Sequence, residues 1–265
     1  VADLDFKYRG EYLSNYEYII CEFSSSNSAD VVNTDSQRAF TSISMFAGKR
    51  QPILYSTYND TLVMKFSICK MENAHSQFIS PDEAAEIKRW LCSPVAQELQ
   101  IIDDDFWNYR WFGFFNVNEI HIARGCIGFE LTFTSVAPFG YKKRFETSGT
   151  VEANGTIEID DTSDEEGYIY PDMVITVKTA GDLTITNSFD DRKTVIKNCT
   201  QGEVLKFSNL LQISSSDSTH IIGNDFNYKF LRINNEYEKT KNTLKFSLNC
   251  DYSISYNPIA KVVFV

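Results

Sequence analysis

The sequence predicts a mainly β protein of two β-sandwich-like domains, the first carrying a single α-helix at about 80–93. Three observations predict it. Only one stretch, SPDEAAEIKRWLCSP from Ser80 to Pro94, has both ends of a helix marked. Most of the remainder alternates apolar and polar residues over short runs, the period of a half-buried strand. Finally, the breakers and basic residues Pro138-Phe139-Gly140-Tyr141-Lys142-Lys143-Arg144 divide 1–143, with the helix and all three Trp, from 144–258, which reads as strand throughout.

The helix is the clearest element. Ser80 suits the N-cap, Pro81 the first helical position, and Glu83 completes a capping box with Ser80. Ala84, Ile87 and Leu91 make one apolar stripe, with Trp90 at its edge, and Pro94 ends the pattern. A lone amphipathic helix must bury its stripe, and in a strand-rich chain the partner is a sheet.

Before the helix, Leu4–Tyr8 and Tyr16–Phe23 read as a first strand pair around a turn at Arg9-Gly10. Residues 24–33 read as a loop, and Ala39–Met45 and Ile53–Tyr58 as short strands around a turn at 48–52. Over 61–68, Leu62, Met64, Phe66 and Ile68 alternate with Thr61, Val63, Lys65 and Ser67. After the helix come Glu98–Ile102, the acidic turn Asp103-Asp104-Asp105, the aromatic run Trp107–Val117, and a hairpin of Glu119–Ala123 with Ile127–Ser135.

In the second half, Asn154-Gly155 between Thr150–Ala153 and Thr156–Asp160 is a strong hairpin signal. Short strands follow at Met173–Lys178, Leu183–Thr186, Lys193–Asn198, Val204–Phe207, Leu210–Ser214, Phe230–Asn234, Leu244–Cys250 and Ser253–Tyr256, the spacing of a β-sandwich. An apolar strand, Ala260–Val265, ends the sequence.

Composition narrows the function. The 265 residues are 43% hydrophobic and 14% aromatic, enough for packed cores. The net charge is −11, with 13 basic and 18 acidic residues in 1–143 and 12 and 18 in 144–265, so no basic field exists to recognise nucleic acid. No apolar run approaches the roughly 18 residues of a membrane span, and no secretory signal is read. The six Cys form no CxxC pair and read as reduced, buried thiols.

The search for chemistry proposes no catalytic site. His75, His121 and His220 have no partner at metal-ligand spacing, so no metal and no cofactor are expected. Asp103–Asp105 reads as a solvated turn and Asp160, Asp161, Asp164, Glu165, Glu166 as a mobile acidic loop, with Ca²⁺ the lesser reading of each. A cell-wall hydrolase would need a carboxylate pair facing a cleft, and the acidic residues single none out. The aromatic run reads as core plus oligomer interface, with Trp107, Tyr109, Trp111, Phe112 and Phe114 its interface candidates. The alternative is a two-domain carbohydrate-binding protein reading host glycans. It is weakened because 144–265 contains no Trp to stack on sugars.

Three segments resemble the distal tail proteins of siphophages, the siphovirus tail component family. They are FKYRGEYLSNYEYIICEF at 6–23, the block AAEIKRWL at 84–91 through LQIIDD at 99–104, and Gly128–Thr134 followed by Ala137-Pro138-Phe139-Gly140. The resemblance covers roughly 3–143. It implies a ring-forming first domain and a galectin-like or carbohydrate-module-like second domain. In some members the last strand returns to the first domain, and 259–265 is the segment that would do so here. The resemblance further implies a homo-hexameric hub, without catalytic site or cofactor, joining the tail tube to tail-tip or baseplate proteins such as a tail-associated or receptor-binding protein. Such a hub sits at the distal tail tip of the virion, from a phage or prophage, and is assembled in the bacterial cytoplasm.

Overall fold

The computed structural model describes residues 4–21, 38–43, 53–58, 61–71, 78–123 and 125–262. They fall into two units, one of Val1–Tyr141 with Ala260–Val265, the other of Lys142–Ile259.

The first unit is built on a seven-stranded antiparallel sheet. Its order is Glu11–Tyr12, Asp5–Tyr8, Gln97–Ile102, Trp111–Ile122, Gly125–Ser135, Val63–Lys70, Tyr18–Cys21. The alternation read in the sequence sets its faces. Leu62, Met64, Phe66 and Ile68 are buried, as are Phe129, Leu131 and Phe133 on the next strand. From Trp111 onward the aromatic run and Glu119–Ile122 form one strand, Trp111–Ile122, because both pair with Gly125–Ser135, with one register shift after Ile120.

The first strand pair is a correction. Asp5–Tyr8 pairs across the turn with Glu11–Tyr12 and on its other side with Gln97–Ile102. Tyr18–Cys21 lies at the opposite edge of the sheet, against Val63–Lys70. The cause is a 3₁₀ turn, Leu13–Tyr16, that buries Leu13 and ends on Glu17 with φ 63°, redirecting the chain. Arg38–Ile43 and Ile53–Tyr58 pair as a hairpin. The loop at 24–33 and the turn at 48–52 lie outside the described residues.

The helix runs Pro81–Leu91. Ser80 Oγ accepts the Glu83 N–H at 3.3 Å, and Glu83 Oε2 accepts the Ser80 N–H at 2.7 Å, so the capping box forms. Ala84, Ile87, Trp90 and Leu91 are buried. Trp90 is not at the margin of the stripe: its ring stacks on Phe6 and Tyr16, and its Nε1–H donates to Tyr8 O at 3.0 Å. Full burial of an apolar side chain of this kind contributes about 1.5–3 kcal/mol.

The second unit is a sandwich. A five-stranded sheet has the order Phe145–Val151, Cys250–Tyr256, Asp172–Val177, Val204–Ser208, Gln212–Ser215, and a four-stranded sheet the order Thr156–Asp160, Lys241–Phe246, Gly181–Asn187, Arg192–Cys199. Ile175, Val177 and Leu205 of the first share one core with Ile159, Ile185, Leu244 and Phe246 of the second. Helix does recur here, as a single turn, Ile222–Asp225.

Two expectations fail in this unit for one reason. Asn154-Gly155 makes a tight turn, with Asn154 at φ 62° and Gly155 N–H donating to Glu152 O at 2.8 Å. The strands on either side are not a hairpin, however. Phe145–Val151 pairs over seven residues with Cys250–Tyr256, and Thr156–Asp160 over five with Lys241–Phe246. Likewise, 244–250 is not one strand: Lys241–Phe246 ends in one sheet and Cys250 begins a strand in the other. In both cases the chain crosses the sandwich, and longer ladders elsewhere outcompete the local pairing.

Of the cysteines, Cys126, Cys199 and Cys250 are buried, Cys21 and Cys69 partly so, and Cys92 is exposed, so the expectation of burial fails for Cys92.

Candidate functional site

The aromatic run begins in a turn whose backbone is fixed by hydrogen bonds. Asp103 O accepts the N–H of Phe106 at 3.2 Å and of Trp107 at 2.9 Å, and Asp103 Oδ1 accepts the Asp105 N–H at 3.0 Å. Trp107 O accepts from Gln100 Nε2 at 2.9 Å and from Arg110 at 2.7 Å. The Trp107 indole is held outward, 52% exposed. Tyr109 is half-buried, its ring 6.5 Å from that of Trp111.

From Trp111 the strand alternates. Trp111, Gly113 and Phe115 face the core, and Phe112 and Phe114 face the other side of the sheet. Trp111 is fully buried, and its Nε1–H donates to Val262 O at 3.1 Å. Gly140 lies so close that a Cβ there would be 2.6 Å from the indole nitrogen. Burial removes Trp111 from any surface, so the five candidates do not form one patch.

The open face of the sheet carries Phe112 and Phe114. Phe112 meets Tyr141 edge-on at 5.6 Å. Phe114, Thr134 and Val63 lie in one row across three strands. Val63 and Val136 are each 52% exposed, and neither was singled out from the sequence. The signal for Val63 was there: it is the apolar residue in the polar phase of 61–68. The resulting surface is suited to contact, since apolar and aromatic side chains on an exposed sheet face lose water on docking.

The acidic clusters serve structure. Asp103–Asp105 closes the turn just described. Asp161 is buried, its carboxylate accepting Ser163 Oγ at 3.0 Å and Asn235 Nδ2 at 3.1 Å, so the second cluster contains an internal anchor as well as solvated charges.

Residues 2–137 match a family model described as a phage tail protein N-terminal domain, and residues 139–256 one described as a phage tail C-terminal domain. The chain belongs to this phage tail protein family. No curated protein sequence matches it. Among solved structures, the phage tail chain is similar to SPP1 Dit (gp 19.1), described as a paradigm of hub adsorption apparatus in phages infecting Gram-positive bacteria. The TM-score is 0.65 at 11% identity, covering 96% of this chain and 98% of that one. The fold is therefore that of Dit, over both units. A chain of the phage P2 baseplate in its activated conformation with Ca matches at TM-score 0.45 and 11% identity, covering 98% and 99%.

Proposed function

We propose that this phage tail protein is a structural hub at the distal end of the tail, closing as a homo-hexameric ring that joins the tail tube to tail-tip or baseplate proteins. The observation that carries the reading is the likeness in fold to SPP1 Dit along the whole length of both chains. A ring uses one heterologous contact repeated until it closes. The contact is assigned to the first unit, with Phe112, Phe114, Val63 and Val136 on the open sheet face and Trp107 and Tyr109 at the turn. The protein works through surfaces and not through catalysis, and its place is the virion. The units are read as two domains, 1–143 with 259–265 and 144–258, and a fragment of residues 144–258 should fold cooperatively on its own by circular dichroism.

The competing reading, glycan binding by the second unit, would rest on its exposed tyrosines, Tyr168, Tyr228 and Tyr237. Arg232 already covers the Tyr168 ring at 4.6 Å, which leaves less platform for a sugar. Light scattering tests the hub: the parent should form a hexamer as concentration rises, and Phe114→Asp should remain a monomer with unchanged circular dichroism. A Phe114→Asp protein that assembles like its parent would remove the sheet face from the contact.

A further inference from the structure

At the far end of the long hairpin, three side chains of different donor chemistry converge. We propose that Glu119, His121 and Cys126 form a binding site for one divalent transition-metal ion of borderline softness, with Zn²⁺ the best match.

The ladder explains how they meet. From Gly113↔Ser135 to Ile120↔Gly128 the pairing is regular; then it shifts, so that His121 pairs with Cys126 and Ile127 is the extra residue. Without this bulge, His121 would oppose Ile127. Bulges re-aim side chains in this way and are frequent beside functional sites. Glu119, two residues before His121, shares its face of the strand. Cys126 is held from its other side as well, where its carbonyl accepts the Ile79 N–H at 2.8 Å.

The donor atoms lie within 4.8 Å of one another. Glu119 Oε2 and His121 Nε2 are 2.7 Å apart, and Cys126 Sγ–H donates to Gly128 O at 3.4 Å. Zinc bonds of about 2.0–2.3 Å in a tetrahedron set donors roughly 3.3–3.8 Å apart, so side-chain rotation suffices to close the site. One sulfur, one nitrogen and one oxygen suit Zn²⁺ or Co²⁺, whereas Ca²⁺ and Mg²⁺ require oxygen shells.

A cation already occupies part of this position. Lys88 Nζ, on the helix, is 2.5 Å from Glu119 Oε1. Lys88 and His121 therefore both contact the Glu119 carboxylate, one at each oxygen. Metal binding displaces the Cys126 thiol proton to the buffer as the S–metal bond forms. A groove of about 870 Å³, walled by Phe78, Ala84, Ala85 and Ile122, opens onto the cluster and gives water access to the fourth ligand position.

The test is titration of the reduced full-length protein with Co²⁺. One equivalent should produce a thiolate-to-cobalt charge-transfer band, and Zn²⁺ should abolish it. His121→Ala and Cys126→Ser should each weaken binding by about 100-fold or more, beyond the 10–100-fold typical of changes outside the ligand set. Lys88→Ala should tighten it, since the competing ammonium is gone. Absence of the band in the parent overturns the site. So does a band that survives in His121→Ala, an exposed position that decides the matter even if Cys126→Ser fails to fold.

Discussion

In the first unit, Phe6 stacks on Trp90 at 5.7 Å and meets Phe66 at 5.6 Å and Phe115 at 5.7 Å, a core made of interlocked rings. The interior of the second unit is richer in aliphatic side chains, although Phe207, Phe226, Phe246 and Tyr256 are buried in it, and it is crossed by buried amides. Asn187 Nδ2 donates to Asn242 Oδ1 at 2.8 Å, Asn242 Nδ2 to Asn234 O at 2.9 Å, and Asn234 N–H returns to Asn242 Oδ1 at 2.9 Å. Among the described residues, Ser135 is the one buried polar side chain of the first unit, against seven in the second. The two units pack by different means: interlocked rings dominate one, and a hydrogen-bonded amide network marks the other. They also differ in what they leave over. The second unit turns two sheets toward one core, whereas the first leaves Phe114 and Val63 on an open sheet face, which is why assembly is assigned to it.

The largest effect should come from breaking the ring core. Trp111→Ala should cost about 3–5 kcal/mol in denaturant unfolding, the range for emptying a large aromatic site. A loss under about 0.5 kcal/mol, as at a surface position, would place Trp111 back among the interface candidates. Next comes the amide network. Asn242→Ala leaves partners of Asn187 and Asn234 unmatched, at about 1–3 kcal/mol for each buried group. A near-neutral change would mean the network is dispensable and the contrast between the units is false. Ser80→Ala removes only a helix cap and should cost about 0.5–2 kcal/mol.

The smallest effect is a slope with pH. In the second unit burial pushes Glu203 up, but hydrogen bonds from Ser215, the Thr200 N–H and His220 outweigh it, and its carboxyl sits below the ordinary range. In the first unit Glu83 is held down to about 2, chiefly by the hydrogen bond from Lys70 at 2.6 Å. A depressed folded value means the stabilisation is complete above the unfolded carboxylate pKa of about 4.3 and is lost as pH falls through the folded value. Melting temperature should therefore fall on acidification, and fall less steeply in Glu203→Gln. Parallel acid profiles for parent and variant would show that Glu203 carries none of it.

What could be read in the sequence was local. The cap Ser80–Glu83, the stripe Ile87–Leu91 and the alternation over 61–68 are set by neighbours within a turn or two, and the structure bears them out. Strand partners were not legible. Asn154-Gly155 specified a turn but not that its flanking strands belong to different sheets, and the alternation of Leu244, Phe246 and Cys250 ran unbroken across a change of sheet. The aromatic run revealed its composition but not its phase, so Trp111 was grouped with residues on the opposite face. The grouping of His121 with Cys126 depends on a bulge, which no ligand-spacing rule encodes.

The central claim is that a fold like that of Dit serves a closed ring. Native mass spectrometry of the full chain over a range of concentrations addresses it most directly. Closure predicts monomer and one dominant species of six copies, with little between them and nothing larger. A dimer that persists at every concentration, or an open ladder of masses without an endpoint, would contradict it.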